Sequence, residues 1–528
     1  MADVHESPST LVGPEGRVRG TRIRLADSMA TERFRWWLVF VVLVVFAAVR
    51  AATSMERDPY WSARAGLENL DGAPLVRPDS WSWSAEGVWY PNSPGWNLVL
   101  GLGWRGLGFW GLFAVALLAI SLLLGLALII TRLAGGRPLP ALVGFVPALL
   151  LASSGLSPRA TVIVQCLIFG AVVFAWWWGG VVARVPLVVA CTVPAVAGLV
   201  VSLLGNWVHL SFMAMSAAIA VMWALAWWAS PGIRLGGRLA LLGSGTIGLL
   251  LGCVLSPYGI AATLERSRIV ETVCRGLVSE WLSVVDFARN GDVHVILVAA
   301  VTLAVALSSA FFVLRLVRRH GRFDPRVRLV LPLAVFGFLA VVVGLGTVRF
   351  ISVGLLALLP VAGAAATWLV DRFRRHQRRS GGFWSRPKVV QYTSGRFLTA
   401  ILLIVGLVVS PVALWRISQG ARPPEAAVVE LLPDGCLVWA KAGTSAPVIL
   451  MRPDAKVWID GRVDFYGRDH VLEYLRILAA EDPLPDEAGC VILPSAPGER
   501  HPLADALDED SAWTQVADVD GYSLWVRD

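Results

Sequence analysis

A pair of acids opens the polar stretch that follows the first apolar run, in Glu56-Arg57-Asp58-Pro59-Tyr60-Trp61. A carboxylate such as Asp58, held at a lipid–water boundary beside a long loop, can take the proton of an acceptor hydroxyl. As a plain loop residue or helix cap it would only bond water or backbone. Asn206-Trp207-Val208-His209 lies at a turn between two apolar runs, where polar groups either serve a cavity or bond across helices. Arg349 follows a long apolar run, away from the other arginines. It can meet a lipid phosphate or snorkel to the interface. Glu280-Trp281 sits in an amphipathic stretch and either caps a cavity or faces solvent. Asp460-Gly461-Arg462 follows a β-rich run; the pair suits a sugar or phosphate, or a structural salt bridge in a tight turn.

The spacing excludes several other chemistries. There is no His-x-x-x-His pair, no Cys-x-x-Cys, no P-loop, no dinucleotide fingerprint and no Gly-x-Ser-x-Gly. No cofactor is identified, and a divalent metal requirement stays open.

The elements that must position these residues are apolar. Of 528 residues, 56% are hydrophobic and 16% charged, against roughly 25% charged in soluble domains. The mean hydropathy is +0.65. A soluble core cannot absorb that much apolar surface, so lipid is the solvent. Runs long enough to cross a bilayer recur about eleven times. They fall at 36–53, 109–131, 139–156, 160–182, 185–205, 207–229, 239–256, 293–316, 329–347, 350–370 and 397–415. The run 96–107 is short and glycine-broken, and reads as re-entrant or interfacial. Trp176, Trp177 and Trp178, and Trp227 and Trp228, read as interfacial belts.

The formal charge of +8 points at first to nucleic acid, but the arginines alternate with the spans. Arg132 and Arg137, Arg184, Arg234 and Arg238 occupy every second connection. So do the clusters Arg315, Arg318, Arg319, Arg322, Arg326, Arg328 and Arg372, Arg374, Arg375, Arg378, Arg379, Arg386, Lys388. Basic connections stay cytoplasmic. The expectation is therefore a multi-pass cell-membrane protein with a cytoplasmic amino terminus, membrane lipids as partners and no nucleic acid. The loops 54–93, 157–159, 206–209 and 257–292 fall outside. The first run reads as an uncleaved signal anchor.

Three domains follow: a disordered basic tail at 1–33, a transmembrane domain at 34–417, and an extracytoplasmic domain at 418–528. Segment 257–292 has helical amphipathic spacing and predicts a helix on the outer membrane surface. In the last domain, β-rich runs at 436–440, 457–460, 490–493 and 513–526 alternate with helical runs at 468–480 and 503–507, giving a small tethered α/β fold. Cys436 and Cys490 can be bridged there or stand as buried thiols on separate strands. The fold class is mainly α: a polytopic transmembrane helix bundle with a small C-terminal α/β domain.

In order and spacing the chain resembles bacterial polytopic proteins of the GT-C glycosyltransferase type. The resemblance covers most of the chain. It rests on Asp58-Pro59-Tyr60-Trp61 with Arg64-x-Gly66, then Asp79-Ser80-Trp81-Ser82, Ser157-Pro158-Arg159, Asn206-Trp207-Val208-His209 and Ser256-Pro257-Tyr258-Gly259. It continues through Glu280-Trp281, Arg349-Phe350 and Ile459-Asp460-Gly461-Arg462, with Asp464 and Tyr466-Gly467. The resemblance implies a polyprenyl-phosphate sugar donor, an active site on the outer face, and an acid in the first outer loop as base, here Asp58. The glycosyltransferase hypothesis adds Arg349, His209, Asn206, Glu280, Trp281 and Arg64 as donor-phosphate or substrate contacts, with Asp460, Arg462 and Asp464 as tail candidates. The pattern departs at Pro59 and Tyr60, where such enzymes commonly carry a second acid.

Two functions from different classes follow. One is an integral-membrane glycosyltransferase moving a sugar to a cell-envelope acceptor. The other is a non-catalytic protein of the same fold that organises envelope partners. A proton- or sodium-coupled transporter is disfavoured, because the middles of the spans hold almost no ionisable residues.

Overall fold

A computed structural model of the chain describes residues 14–54, 56–379, 411, 414–420, 422–496 and 498–528, with residues 14–31 described by backbone alone. The expected span at 397–415 and the start of the basic tail therefore lie almost wholly outside the described residues.

Eight described helices have the length and hydropathy to cross a membrane, and two shorter apolar helices accompany them. In chain order the apolar helices are α1 (Pro14–Thr53), α4 (Phe109–Leu133), α5 (Pro138–Leu151), α6 (Ala160–Val181) and α7 (Leu187–Val208). They continue with α8 (Phe212–Trp228), α9 (Leu235–Val254), α12 (Val293–His320), α13 (Pro325–Gly346) and α14 (Arg349–Arg379). α1 begins at Pro14, inside the tail expected to be disordered. Its Arg-, Ala- and Leu-bearing sequence favours helix, and the apolar span continues the turn backwards. The tryptophan belts split: Trp177 and Trp228 are exposed, whereas Trp178 and Trp227 are buried in the bundle.

The helices alternate in direction, so their ends sort into two sets. At the basic ends Arg137 pairs with Asp371 at 2.6 Å, and Trp176 donates to the Pro325 carbonyl at 3.0 Å. At the other ends Arg50 donates to the Ser153 carbonyl at 2.8 Å and Trp96 to the Pro158 carbonyl at 3.1 Å. The Tyr258 hydroxyl donates to the Pro91 carbonyl there at 2.9 Å. These second ends carry the long loops.

The first long loop folds into α2 (Asp58–Leu70), the strand pair β1 (Arg77–Pro78) and β2 (Val88–Trp89), and α3 (Pro94–Leu107). α3 is the glycine-broken run. It lies on α2 so closely that a Cβ on Gly66 would collide with the Asn97 carbonyl. Two facing glycines, Gly66 and Gly101, allow that approach. Segment 257–292 is three pieces rather than one surface helix: α10 (Gly259–Cys274), a 3-10 turn at Ser279–Trp281, and α11 (Val284–Arg289). Gly276, at φ 78°, lies in the break after α10.

The C-terminal domain is a five-stranded sheet of β3 (Leu437–Ala440), β4 (Lys456–Val457), β5 (Cys490–Pro494), β6 (Trp513–Val519) and β7 (Tyr522–Arg527). The order is β4-β3-β5-β7-β6, parallel across β4-β3-β5 and antiparallel across β5-β7-β6. Cys436 and Cys490 are joined in a disulfide. The domain is docked, not merely tethered. One sheet face shares a continuous apolar core with the helix bundle, through Val438, Ala446, Ile449 and Leu524. The other face packs Trp439, Trp458 and Trp525 under helices Arg468–Leu478 and Pro502–Glu509. The first loop also extends the sheet: Val457 donates to the Trp81 carbonyl at 2.8 Å and Trp83 to the Val457 carbonyl at 3.1 Å.

Candidate active site

Asp58 stands in the first turn of α2, where a negative charge suits the helix dipole. The indole N–H of Trp61 lies 3.3 Å from its Oδ1 and fixes the carboxylate. Its Oδ2 lies 3.1 Å from Nη2 of Arg159, and the Asp58 side chain is still 35% exposed. Solvent and a small hydroxyl can therefore reach it.

Arg159 is the hub that sequence reasoning did not single out. It caps α6 in an extended conformation, on a Pro158 carbonyl held by Trp96. Its guanidinium meets three acids from three segments: Glu56 at 2.7 Å, Asp58 at 3.1 Å and Glu280 at 2.7 Å. Glu280 comes from the 3-10 turn, and its other oxygen lies 3.7 Å from Nη1 of Arg349. A backbone bond of 3.0 Å from Val348 to the Leu282 carbonyl ties that turn to the start of α14. The Arg349 guanidinium rests 5.9 Å over the Trp281 ring. Glu56 is a second acid beside Asp58, two residues before it in the chain.

The charges act on one another. Burial opposes the charge of Arg159, but Asp58, Glu56 and Glu280 outweigh it and hold its pKa above the usual arginine value. Burial, then the charge of Asp58, pushes the Glu56 carboxyl above the ordinary range, with Arg159 opposing. His209 caps the end of α7. Burial, then Arg349 and Arg159, lowers it to about 3, so its imidazole is neutral at neutral pH. Its Nδ1 accepts from the Ser211 backbone N–H at 3.1 Å. The proton therefore sits on Nε2, and His209 can donate a hydrogen bond but no positive charge.

The tail domain reaches this cluster. A Cβ on Gly461 would lie 3.2 Å from Asp58 Oδ1 and 3.3 Å from the Trp61 indole nitrogen. Asp464 follows, its carboxyl raised by burial. The charges of Asp464, Arg349 and Glu280 are all felt at the Cys274 thiol, which burial first pushes up to about 11.

The remaining sequence candidates have other roles. Asn206 is buried and its amide donates at 2.7 Å to the Ser202 carbonyl. It faces Cys253 of α9, inside the bundle. Such a polar bond across helices is what hydrocarbon surroundings demand. Arg64 pairs at 2.8 Å with Glu68, which also accepts from Trp81 at 2.8 Å and meets Arg77 at 2.7 Å. It belongs to the folding of the first loop.

Asp460 and Arg462 form a buried latch. Arg462 contacts Asp460 at 2.6 Å and Asp79 of the first loop at 2.5 Å, all three side chains being 2% exposed or less. Tyr466 donates to Asp460 at 2.9 Å. The guanidinium lies 4.4 Å over Trp81 and 5.0 Å over Trp89. Burial opposes its charge, yet the two acids hold its pKa well above the usual value.

Among the described residues, no group of three or more His, Cys, Asp or Glu side chains is arranged to hold a metal ion. The acids of the cluster are gathered around Arg159 instead.

No family model matches the chain, and no curated protein matches it in sequence. Among solved structures it is similar to the Archaeoglobus fulgidus oligosaccharyltransferase tethered with an acceptor peptide containing the NVT sequon. That match has 11% identity and a TM-score of 0.43, and covers 86% of this chain and 69% of that one. The same archaeal enzyme in its apo form matches at 14% identity and TM-score 0.33, with 86% and 69% covered. The archaeal oligosaccharyltransferase AglB from the same organism, in complex with an inhibitory peptide and a dolichol-phosphate, matches at 12% identity and TM-score 0.33, again covering 86% and 69%. On its own elements, the chain is a polytopic helical membrane protein whose α/β domain folds back onto a five-charge cluster.

Proposed function

We propose that the protein is a membrane glycosyltransferase of GT-C type, using a polyprenyl-phosphate sugar and a hydroxyl acceptor at the outer face of the cell membrane. The carrying observation is the convergence of Asp58, Arg159, Glu280 and Arg349 from four separate segments at the loop-bearing helix ends. In this reading Asp58 takes the acceptor proton as the acceptor oxygen attacks the sugar's anomeric carbon. The bond from that carbon to the phosphate oxygen breaks, and the electron pair leaves with the polyprenyl phosphate. Arg349 and Arg159 face the charge that grows on the leaving phosphate, and the Nε2 proton of His209 offers a neutral donor beside them. Trp281 supplies an apolar plate. Asp464 is a further polar wall from the tail domain.

Sidedness supports the same reading. The basic helix ends lie opposite the cluster, so basic-inside orientation puts the cluster and the disulfide-bearing domain outside. Sealed vesicles given labelled polyprenyl-phosphate sugars and envelope lipids test it. Transfer is expected, with Arg349→Gln lowering kcat at least as much as it raises the donor KM. No transfer from any such donor would leave the transferase reading without support.

One observation favours the non-catalytic alternative. Both oxygens of Asp58 already have partners, Trp61 and Arg159. If those partners never release it, the cluster is a structural knot and the tail domain a platform for envelope partners.

A further inference from the structure

A cavity of about 230 Å³ shares Glu56 with the cluster, yet neither Glu280, Trp281 nor Arg349 lines it. One wall is apolar: Ala51 and Ala52 from the end of α1 and Leu112 from the start of α4. The lining also includes Arg57, Arg416 and Arg422. Ile417 packs against the small patch of Ala51, Phe113 and Ala116, which seats the segment bearing these arginines on the outer ends of α1 and α4.

The three arginines are not equivalent. Arg57 is neutralised by the fully buried Glu425 at 2.5 Å. Arg422 pairs with Glu430 at 2.9 Å, and both side chains are well exposed; a pair of that kind is weak and readily exchanged. Arg416 is half-buried and has no carboxylate partner among the described residues. Its guanidinium lies 4.9 Å over the Trp415 ring. The cavity thus has one guanidinium without a carboxylate partner among the described residues, Arg416, and one in an exposed, exchangeable pair, Arg422, beside a wall that a small anion cannot use.

Position supplies the rest. The wall belongs to the ends of two membrane-length apolar helices. Trp110 and Trp415 are 45% and 56% exposed there, as aromatic residues at a headgroup boundary are.

We propose that this cavity holds the phosphate-bearing headgroup of an anionic lipid, with Arg416 and Arg422 on the phosphate oxygens and the chains leaving along Ala51, Ala52 and Leu112. Guanidinium forks suit phosphate oxygens, and basic groups beside a bilayer select anionic headgroups. This site goes beyond the transferase reading and does not depend on it. It places a headgroup beside Glu56, one edge of the charged cluster.

Native mass spectrometry of the full-length protein in neutral detergent, titrated with phosphatidylglycerol and with phosphatidylcholine, tests it. One phosphatidylglycerol is expected to stay bound, with phosphatidylcholine at least about tenfold weaker. The double variant R416Q/R422Q should bring phosphatidylglycerol down to the phosphatidylcholine level. Ala52→Phe fills the wall without touching a charge and should weaken phosphatidylglycerol as well; it decides the matter if the arginine variant misfolds. Equal binding of the two lipids overturns the proposal. So does unchanged binding in both variants, or displacement of the lipid by inorganic phosphate at equal concentration, which would make this a free-phosphate site.

Discussion

Arg159 stands 3.1 Å from Asp58 and holds the carboxylate between a guanidinium and the Trp61 indole. The same guanidinium carries Glu56 and Glu280. It joins the first loop, the start of α6 and the 3-10 turn into one charged unit.

Replacing Arg159 by Met leaves three acids without their shared cation. The groups are half-buried, so the expected loss is about 1–3 kcal/mol, read from denaturant unfolding in detergent. Arg159→Lys restores the charge but not the fork, and should recover only part of it. Unchanged stability in Arg159→Met would remove the hub.

Glu56→Gln should show a pH signature. The folded pKa of Glu56 is raised, by burial first and by Asp58 second. The folded state therefore holds that proton more tightly than the unfolded chain, whose value is about 4.3. Stability from this group is present below the unfolded value and is lost as pH rises through the raised folded one. The amide of the variant has no proton to lose, so its Tm relative to wild type should climb over that window and then level off. A flat difference from pH 4 to 8 contradicts the assignment.

Arg462→Met should be the most damaging single change in the tail domain. It leaves Asp79 and Asp460 buried and unpaired, at a cost of about 3–5 kcal/mol. Hydrogen exchange should rise together at 79–89 and 457–466, because one guanidinium serves both sides. A rise confined to the tail would show that the latch does not hold the loop.

Gly461 provides space rather than an unusual backbone, since its φ lies outside the left-handed range. Gly461→Val would press on Asp58 Oδ1, 3.2 Å from the new Cβ. Turnover should fall by roughly 10- to 100-fold, as displacements of about 1 Å do, with global stability nearly unchanged. Wild-type turnover in this variant would separate the tail domain from the site.

Much of this architecture was legible in the residues. Apolar run lengths marked the helices, and alternating arginines marked which ends belong together. Asp58, Glu280 and Arg349 could each be picked out as a charge at the loop-bearing end of a span. Their convergence could not, because it depends on Arg159, a lone arginine in the short turn Ser157-Pro158-Arg159. The available signal was a charge in a three-residue connection between two apolar runs. The partners of Asn206 and Arg64 were not legible: a polar residue near an apolar run looks the same whether it meets a ligand, a Ser202 carbonyl or a Glu68 side chain. The docking of the tail domain was also hidden. Asp79 and Arg462 are far apart in sequence, and only the fold brings them to 2.5 Å.

The most direct measurement is single-turnover transfer by Asp58→Asn in sealed vesicles, beside wild type and with donor binding measured in the same preparation. Asparagine keeps the size of the side chain and can still accept from Trp61, but it cannot take a proton. The account expects donor affinity within about twofold and a transfer rate lower by about 10²–10⁴. A transfer rate equal to wild type would contradict Asp58 as the base, and with it the assignment of this cluster as the active site.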